Sequence, residues 1–226
     1  MCAAVCPTGA IIIKNDSHRL WKELNQEDTI AVAQVAPAVR VAVAKEFGYN
    51  GENVMGKIVA ALRRIGFNYI FDTSTAADLT VMEESKEFAD RLANGGKLPL
   101  FTSCCPAWIK YAENEYPEIL PNISTCRSPM QMFASVINEK FKGEGKKILS
   151  VAVMPCTAKK GEAARDEFKD ENGKPLVDFV ITTQELIMMI KEAGIVFNEI
   201  EPEAVDMPFG TMTGAGVIFG VTGGVT

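Results

Sequence analysis

Residues 29–36 read TIAVAQVA and residues 148–154 read ILSVAVM. Small and β-branched side chains dominate both runs, as expected of strands buried on both faces. Pro37 ends the first run and can open a helix through residue 46. Pro155-Cys156 ends the second. Working outward, Gly51–Gly66 reads as a helix closed by its C-terminal glycine, and Tyr69–Asp72 as a short strand. A start signal, Thr75-x-x-Asp78, opens a helix that Gly95-Gly96 stops near Asn94. Leu98–Ser103 reads as a strand leading into Cys104-Cys105-Pro106. Residues 106–115, 128–141 and 184–193 read as helices, and Phe179–Thr182 as a strand. This alternation predicts an α/β fold with mostly parallel, twisted sheets flanked by helices. Sites in such sheets form beyond the C-terminal ends of strands. Both internal cysteine motifs fall at such ends, so the expected arrangement is two lobes dividing near residue 147, with a site in the cleft between them.

Composition narrows the function. The chain has 226 residues, with 23 basic and 29 acidic side chains and a formal charge of −6. An acidic chain with no Lys/Arg run argues against nucleic acid, whose binding rests on phosphate neutralisation. No apolar run reaches the ~18–20 residues of a membrane helix. The first residues lack the basic start of a secretory signal. Six cysteines are too few for a secreted disulfide scaffold. With His18 the one histidine, a metal here would have to be held by sulfur. His18 itself reads as a surface residue.

The cysteines fall into motifs. In Thr102-Ser103-Cys104-Cys105-Pro106, adjacent cysteines do not readily pair with each other. They read either as buried small residues or as a reactive thiol and a metal ligand at a strand-to-helix turn. Met154-Pro155-Cys156 repeats the design, with Lys159 one helical turn on; that lysine is either solvated or aimed at a bound anion. Cys2-x-x-x-Cys6-Pro7 matches the second half of the ferredoxin run C-x2-C-x2-C-x3-C-P. Residues 1–28 then read as the end of an iron–sulfur module and a polar connector. Cys126 reads as a packed small residue. On the helix 75–94, Glu84 lies within a stripe of Ala77, Val81, Phe88 and Leu92, with Glu87 at its edge. A carboxylate there needs a partner or a proton. The segment Gly214-Ala215-Gly216-x-x-x-Gly220 misses the dinucleotide fingerprint by one position and reads as close backbone packing.

Together FTSCCPAW, STCRSPMQMF, VAVMPCTAKKGEAAR and GAGVIFGVTGG resemble the catalytic domain of the iron-only ([FeFe]) hydrogenases, and CAAVCPTGAI resembles the ferredoxin-like domain that precedes it. The resemblance implies reversible reduction of protons to H2 at an H-cluster, a [4Fe–4S] cubane joined to a two-iron unit carrying CO, cyanide and a dithiolate. It implies Cys105 and Cys156 as cubane ligands, and Cys2 and Cys6 as ligands of an additional [4Fe–4S] cluster. It implies Cys104 as the thiol passing protons to the two-iron unit, with Glu84, Glu87 and Ser124 as the path outward. Lys159 would hydrogen-bond a cyanide, and Met154, Pro37, Ser128, Pro129, Phe219 and Gly220 would line the two-iron pocket. Ferredoxin or a similar iron–sulfur donor, maturation proteins and a cytoplasmic location follow by the same resemblance.

The sequence departs from the family in three places. Met130 stands where glutamine is frequent, only two cysteines of the ferredoxin run are present, and the third cubane motif, E-x-M-x-C-x-x-G-C, is absent. The expectation is therefore a hydrogenase fragment: the end of a ferredoxin-like module and connector over 1–28, a first catalytic lobe over 29–147 and a truncated second lobe over 148–226. The rival expectation is a hydrogenase-related iron–sulfur binding or assembly protein without H2 chemistry.

Overall fold

The structure, a computed structural model, describes residues 2–208. The glycine-rich end, with Phe219 and Gly220, and the side chain of Cys2 lie outside the described set. Two short helices, α1 (Cys2–Val5) and α2 (Ser17–Leu24), come first. There follow β1 (Thr29–Val35), α3 (Val39–Glu46), α4 (Met55–Ile65), β2 (Tyr69–Asp72) and the long α5 (Ser74–Asn94). Then come α6 (Pro106–Glu115), α7 (Pro129–Lys140), β3 (Lys147–Met154), α8 (Ala158–Ala163), β4 (Phe179–Thr182) and α9 (Thr183–Glu192). Among the described residues no helix is long and apolar enough to cross a membrane.

The strands form one parallel sheet in the order β2-β1-β3-β4, flanked by helices, which is the expected α/β class. Residue 147 opens β3, and β3 pairs with β1 from Thr29–Lys147 to Val35–Val153. The two sets of βα elements therefore share a sheet, with the crevice between the C-terminal ends of β1 and β3. Alternation along β1 explains the layers. Ala31, Ala33 and Val35 join the core that includes Val39, Ile58 and Ile190. Val32 joins the opposite core with Phe71 and Phe133, whose ring centroids are 5.7 Å apart.

Local chemistry sets the ends of the helices. Gly66 closes α4 at φ 120°, a conformation that side chains resist. Thr182 and Glu185 form a capping box at the start of α9. Pro106 and Pro129 each begin a helix, where a missing N–H costs nothing, and the preceding Cys105 and Ser128 serve as caps.

Three expectations are corrected. The segment 98–103 is not a strand of the sheet: Pro99 has no N–H to donate, and the segment makes only the isolated bridge Phe101–Ile123. Its bonds run from Phe101 N to Asn122 O at 2.9 Å and from Ser124 N to Phe101 O at 2.7 Å. The connector contains α2, which its polar composition concealed; Leu20 anchors it at 0% exposure. The stripe on α5 is buried only at its start, where Ala77 is 2% exposed, while Phe88 is 46% and Leu92 63% exposed. The buried face of that helix is confined to its first turns, with Ala76, Ala77 and Thr80, and Glu84 follows Thr80 by one turn.

Candidate active site

The order β2-β1-β3-β4 reverses direction between β1 and β3, and such a switch point leaves a crevice beyond the strand ends. Pro37 follows β1 there, Met154 ends β3, and Pro155 and Cys156 come directly after it. The first turn of α7 contributes Pro129 and Met130, and the start of α5 contributes Thr73, Ser74 and Ala77. Lys159 completes the wall. Pro37, Pro129, Met154, Cys156 and Lys159, far apart in sequence, thus meet at one cavity.

Lys159 connects this cavity to the Cys104-Cys105 turn. Its side chain is 2% exposed, and Nζ donates to the Cys104 carbonyl at 2.8 Å and to Glu162 Oε2 at 2.6 Å. An ammonium has three protons, so one remains for the cavity. A buried cation without a carboxylate would be costly, and Glu162 supplies that carboxylate. Glu162 was not singled out in the sequence, although Lys-x-x-Glu at i, i+3 within MPCTAKKGE carries the signal. The Cys105 sulfur accepts from Trp108 N at 3.5 Å as the cap of α6. Burial pushes the Cys104 thiol above its ordinary value, against the pull of the Lys159 charge and a hydrogen bond from Thr102.

A chain of polar groups leads along α5. Burial raises the Glu84 carboxyl, while the Ser103 backbone and the Ser124 hydroxyl pull it back and the Glu87 charge adds to the rise. Glu84 Oε1 is buried without a partner. Ser124 Oγ donates to Glu87 Oε2 at 2.8 Å and accepts from Cys126 N at 3.1 Å. Burial also pushes Glu87 up, but bonds from Ser124, Arg91 and Thr125 outweigh it and hold the carboxyl below its usual range. Arg91 Nε lies 3.0 Å from Glu87 Oε1. A cavity beyond is lined by Glu83, Glu87, Asp90 and Arg91 and opens to solvent. Cys126 borders it, its thiol pushed up to about 11 by burial and by Glu84, Glu83 and Glu87.

The remaining sequence candidates are distributed otherwise. Ser128 caps α7 through Gln131 N at 3.4 Å and lines a neighbouring cavity with Ser103 and Arg127, not the one around Pro37. Cys6 is not among the residues lining the cavity around Pro37, and its thiol is lowered to about 7 chiefly by the Thr8 hydroxyl and then by backbone N–H groups of that turn.

Among the described residues no group of three or more His, Cys, Asp or Glu side chains could hold a metal ion. The free thiols of Cys105 and Cys156 are soft donors of the kind that select iron–sulfur groups. With the spare proton of Lys159 and the buried, unpartnered hydroxyl of Ser74 on the cavity wall, the donor set fits a thiolate-bound group with acceptor atoms on its surface.

Comparison with known proteins agrees with this arrangement. The NADP-reducing hydrogenase subunit HndD of Solidesulfovibrio fructosivorans is 46% identical over 235 residues, covering 99% of this chain and 40% of that protein. The cytosolic iron-sulfur assembly component 3 of Bos taurus is 35% identical over 221 residues, covering 89% of this chain and 46% of that protein. The solved structure of apo [FeFe]-hydrogenase HydA1 from Chlamydomonas reinhardtii superposes with a TM-score of 0.80 at 39% identity, covering 94% of this chain and 56% of that one. The chain thus spans about half the length of the relatives it matches. The model of the iron only hydrogenase large subunit, C-terminal domain, matches residues 29–226, and the chain belongs to that family.

Proposed function

We propose that this chain forms part of the site of an [FeFe]-hydrogenase, at which protons and electrons are reversibly combined into H2. The observation that carries the reading is Lys159: a buried ammonium that binds the Cys104 carbonyl while facing the cavity beside Cys156. When bound, an H-cluster of a [4Fe–4S] cubane and a two-iron unit with CO, cyanide and a dithiolate supplies the redox chemistry. On this reading Cys105 and Cys156 bind the cubane as thiolates. Met154, Pro37 and Pro129 enclose the two-iron unit and exclude water; Ser128 lines the neighbouring cavity and acts from there as the cap of α7, and Phe219 and Gly220 lie outside the described residues. Lys159 offers its remaining proton to a cyanide.

Cys104 holds a proton at Sγ, since its raised pKa keeps the thiol protonated at neutral pH. Glu84 exchanges protons with it. Ser124 carries one hydroxyl proton and a free lone pair, so it can accept from Glu84 as it donates to Glu87. Glu87 faces the outer cavity, where solvent supplies or removes the proton. The raised carboxyl of Glu84 and the lowered one of Glu87 favour the proton on the inner member.

Cys2 and Cys6 belong, on the same reading, to an additional [4Fe–4S] cluster that delivers electrons from ferredoxin or a similar iron–sulfur donor. Maturation proteins install the two-iron unit, and the protein acts in the cytoplasm. The test is H2 evolution from reduced viologen by the full-length protein after maturation. The 35% identity to an iron–sulfur assembly component supports a second reading, cluster binding or assembly without H2 chemistry. A matured protein that holds iron and sulfide but evolves no H2 would favour that second reading.

A further inference from the structure

Ser74 stands on the wall of the cavity between β1 and β3 and is 1% exposed. Its Oγ has no hydrogen-bond partner. The groups around it are satisfied: Thr73 N donates to Val35 O at 3.0 Å, Thr73 Oγ1 to Gln34 Oε1 at 3.4 Å, and Ser74 N to Asp72 Oδ1 at 2.8 Å. A buried hydroxyl left unsatisfied costs stability that alanine in its place would not. Such an atom on a cavity wall calls for an acceptor within the cavity. Ser74 also opens a 21-residue helix, whose positive end favours an anionic acceptor over a neutral one.

We propose that the Ser74 hydroxyl donates a hydrogen bond to an anionic acceptor atom of the group bound in this cavity. The inference rests on the function proposed above, and under that function the atom is a cyanide nitrogen of the two-iron unit. Lys159 and Ser74 are then two donors to one group, one from α8 and one from the start of α5. Ser74 is a cofactor-binding residue that the sequence motifs did not mark.

The experiment compares infrared spectra of the matured full-length protein with those of its Ser74→Ala and Ser74→Thr variants, alongside thermal melts of the cofactor-free forms. The expected result is a shift of one cyanide band in Ser74→Ala and its return in Ser74→Thr, which keeps a hydroxyl. Loss of all bands in Ser74→Ala with retention in Ser74→Thr supports the proposal equally. The cofactor-free Ser74→Ala protein should melt no lower than wild type, because no protein partner is lost. Unmoved cyanide bands in Ser74→Ala overturn the inference and leave the proposed function standing, as does an equal shift or equal loss in both variants. A lower melting temperature of the cofactor-free Ser74→Ala form also overturns it, since it reveals a partner within the protein. Absence of cyanide and carbonyl bands from the matured wild-type protein overturns the proposed function, and this inference with it.

Discussion

Lys159 and Glu162, one turn apart on α8, form an ion pair 2.6 Å long in which neither side chain is more than 5% exposed. Removing one partner leaves the other charge buried and uncompensated, which costs about 3–5 kcal/mol. Glu162→Ala should therefore lower unfolding stability in urea by about 3 kcal/mol. The double variant Lys159→Met, Glu162→Leu should recover most of that loss. If Glu162→Ala unfolds at the wild-type urea concentration, water already compensates the lysine and the pair has been overvalued.

The proton path makes a kinetic prediction. In the matured full-length protein, Cys104→Ser should reduce H2 evolution by at least about 100-fold while the iron content stays unchanged, because a hydroxyl is a far weaker acid than a thiol. Glu84→Gln should also slow turnover strongly, since an amide cannot relay a proton through its own ionisation. Wild-type rates in either fully metallated variant would remove that residue from the relay.

Glu84 also makes a prediction about pH. Burial, chiefly, raises its folded pKa above the ordinary 4.5. Its ionised form is thus penalised by the fold: it subtracts stability at neutral pH, and the penalty fades as pH falls through the raised value. Glu84→Gln should raise the melting temperature at pH 7 by roughly 2 °C. Near pH 4 the two proteins should melt together, and a difference that persists there would point to a cause other than ionisation.

Asp16 should behave in the opposite sense. Burial pushes its carboxyl up, but Lys160 at 3.0 Å and Lys14 at 3.2 Å outweigh that and hold it below the ordinary 3.8. The stabilisation is present above the unfolded value and is lost as pH falls through the depressed folded one. Asp16→Asn should cost about 2 kcal/mol at pH 7, less than a full buried pair because Lys160 keeps Glu185 at 3.0 Å. Urea melts at pH 7 and near pH 2 should show the difference shrinking in acid.

Cluster binding supplies a final check. A [4Fe–4S] cubane takes four cysteine thiolates. On the proposed reading, Cys105 and Cys156 are the cubane ligands among the described residues, and Cys104 is given to protons. Anaerobic reconstitution of the 226-residue chain with iron and sulfide should therefore leave the crevice well short of about four irons. Four irons abolished by Cys105→Ala or Cys156→Ala would mean that two thiolates suffice.

The strands at 29–35, 147–154 and 179–182 are legible as runs rich in small and β-branched residues, and the one at 69–72 as a short apolar and aromatic run. Leu98–Ser103 is a similarly short, largely apolar run, yet Pro99 diverts it, so apolarity alone does not place it in the sheet. The helix α2 was hidden because Leu20 supplies its whole fully buried apolar anchor. At the site, Cys156 and Lys159 are legible together because one helical turn separates them. Ser74 was not: an unpartnered hydroxyl is a property of three-dimensional surroundings and leaves no pattern in the chain. The apolar stripe marks Glu84 for an incomplete reason, since its outer half at Phe88 and Leu92 is exposed and the burial of Glu84 comes from the Ala77 and Thr80 side of the helix.

Arg91 binds more than Glu87. Its guanidinium also donates to the carbonyls of Lys97 at 3.2 Å, Pro121 at 3.0 Å and Ile123 at 3.0 Å. One side chain therefore rivets the helix bearing Glu84 and Glu87 to the segment bearing Ser124. Any shift of the helix relative to the segment would have to break these carbonyl bonds, so Arg91 braces the 2.8 Å contact between Ser124 and Glu87. On the proposed reading, these residues form a proton conduit braced at one point by a single guanidinium. The throughput of such a conduit would then depend on how readily each group trades its proton and on the supply at its outer mouth.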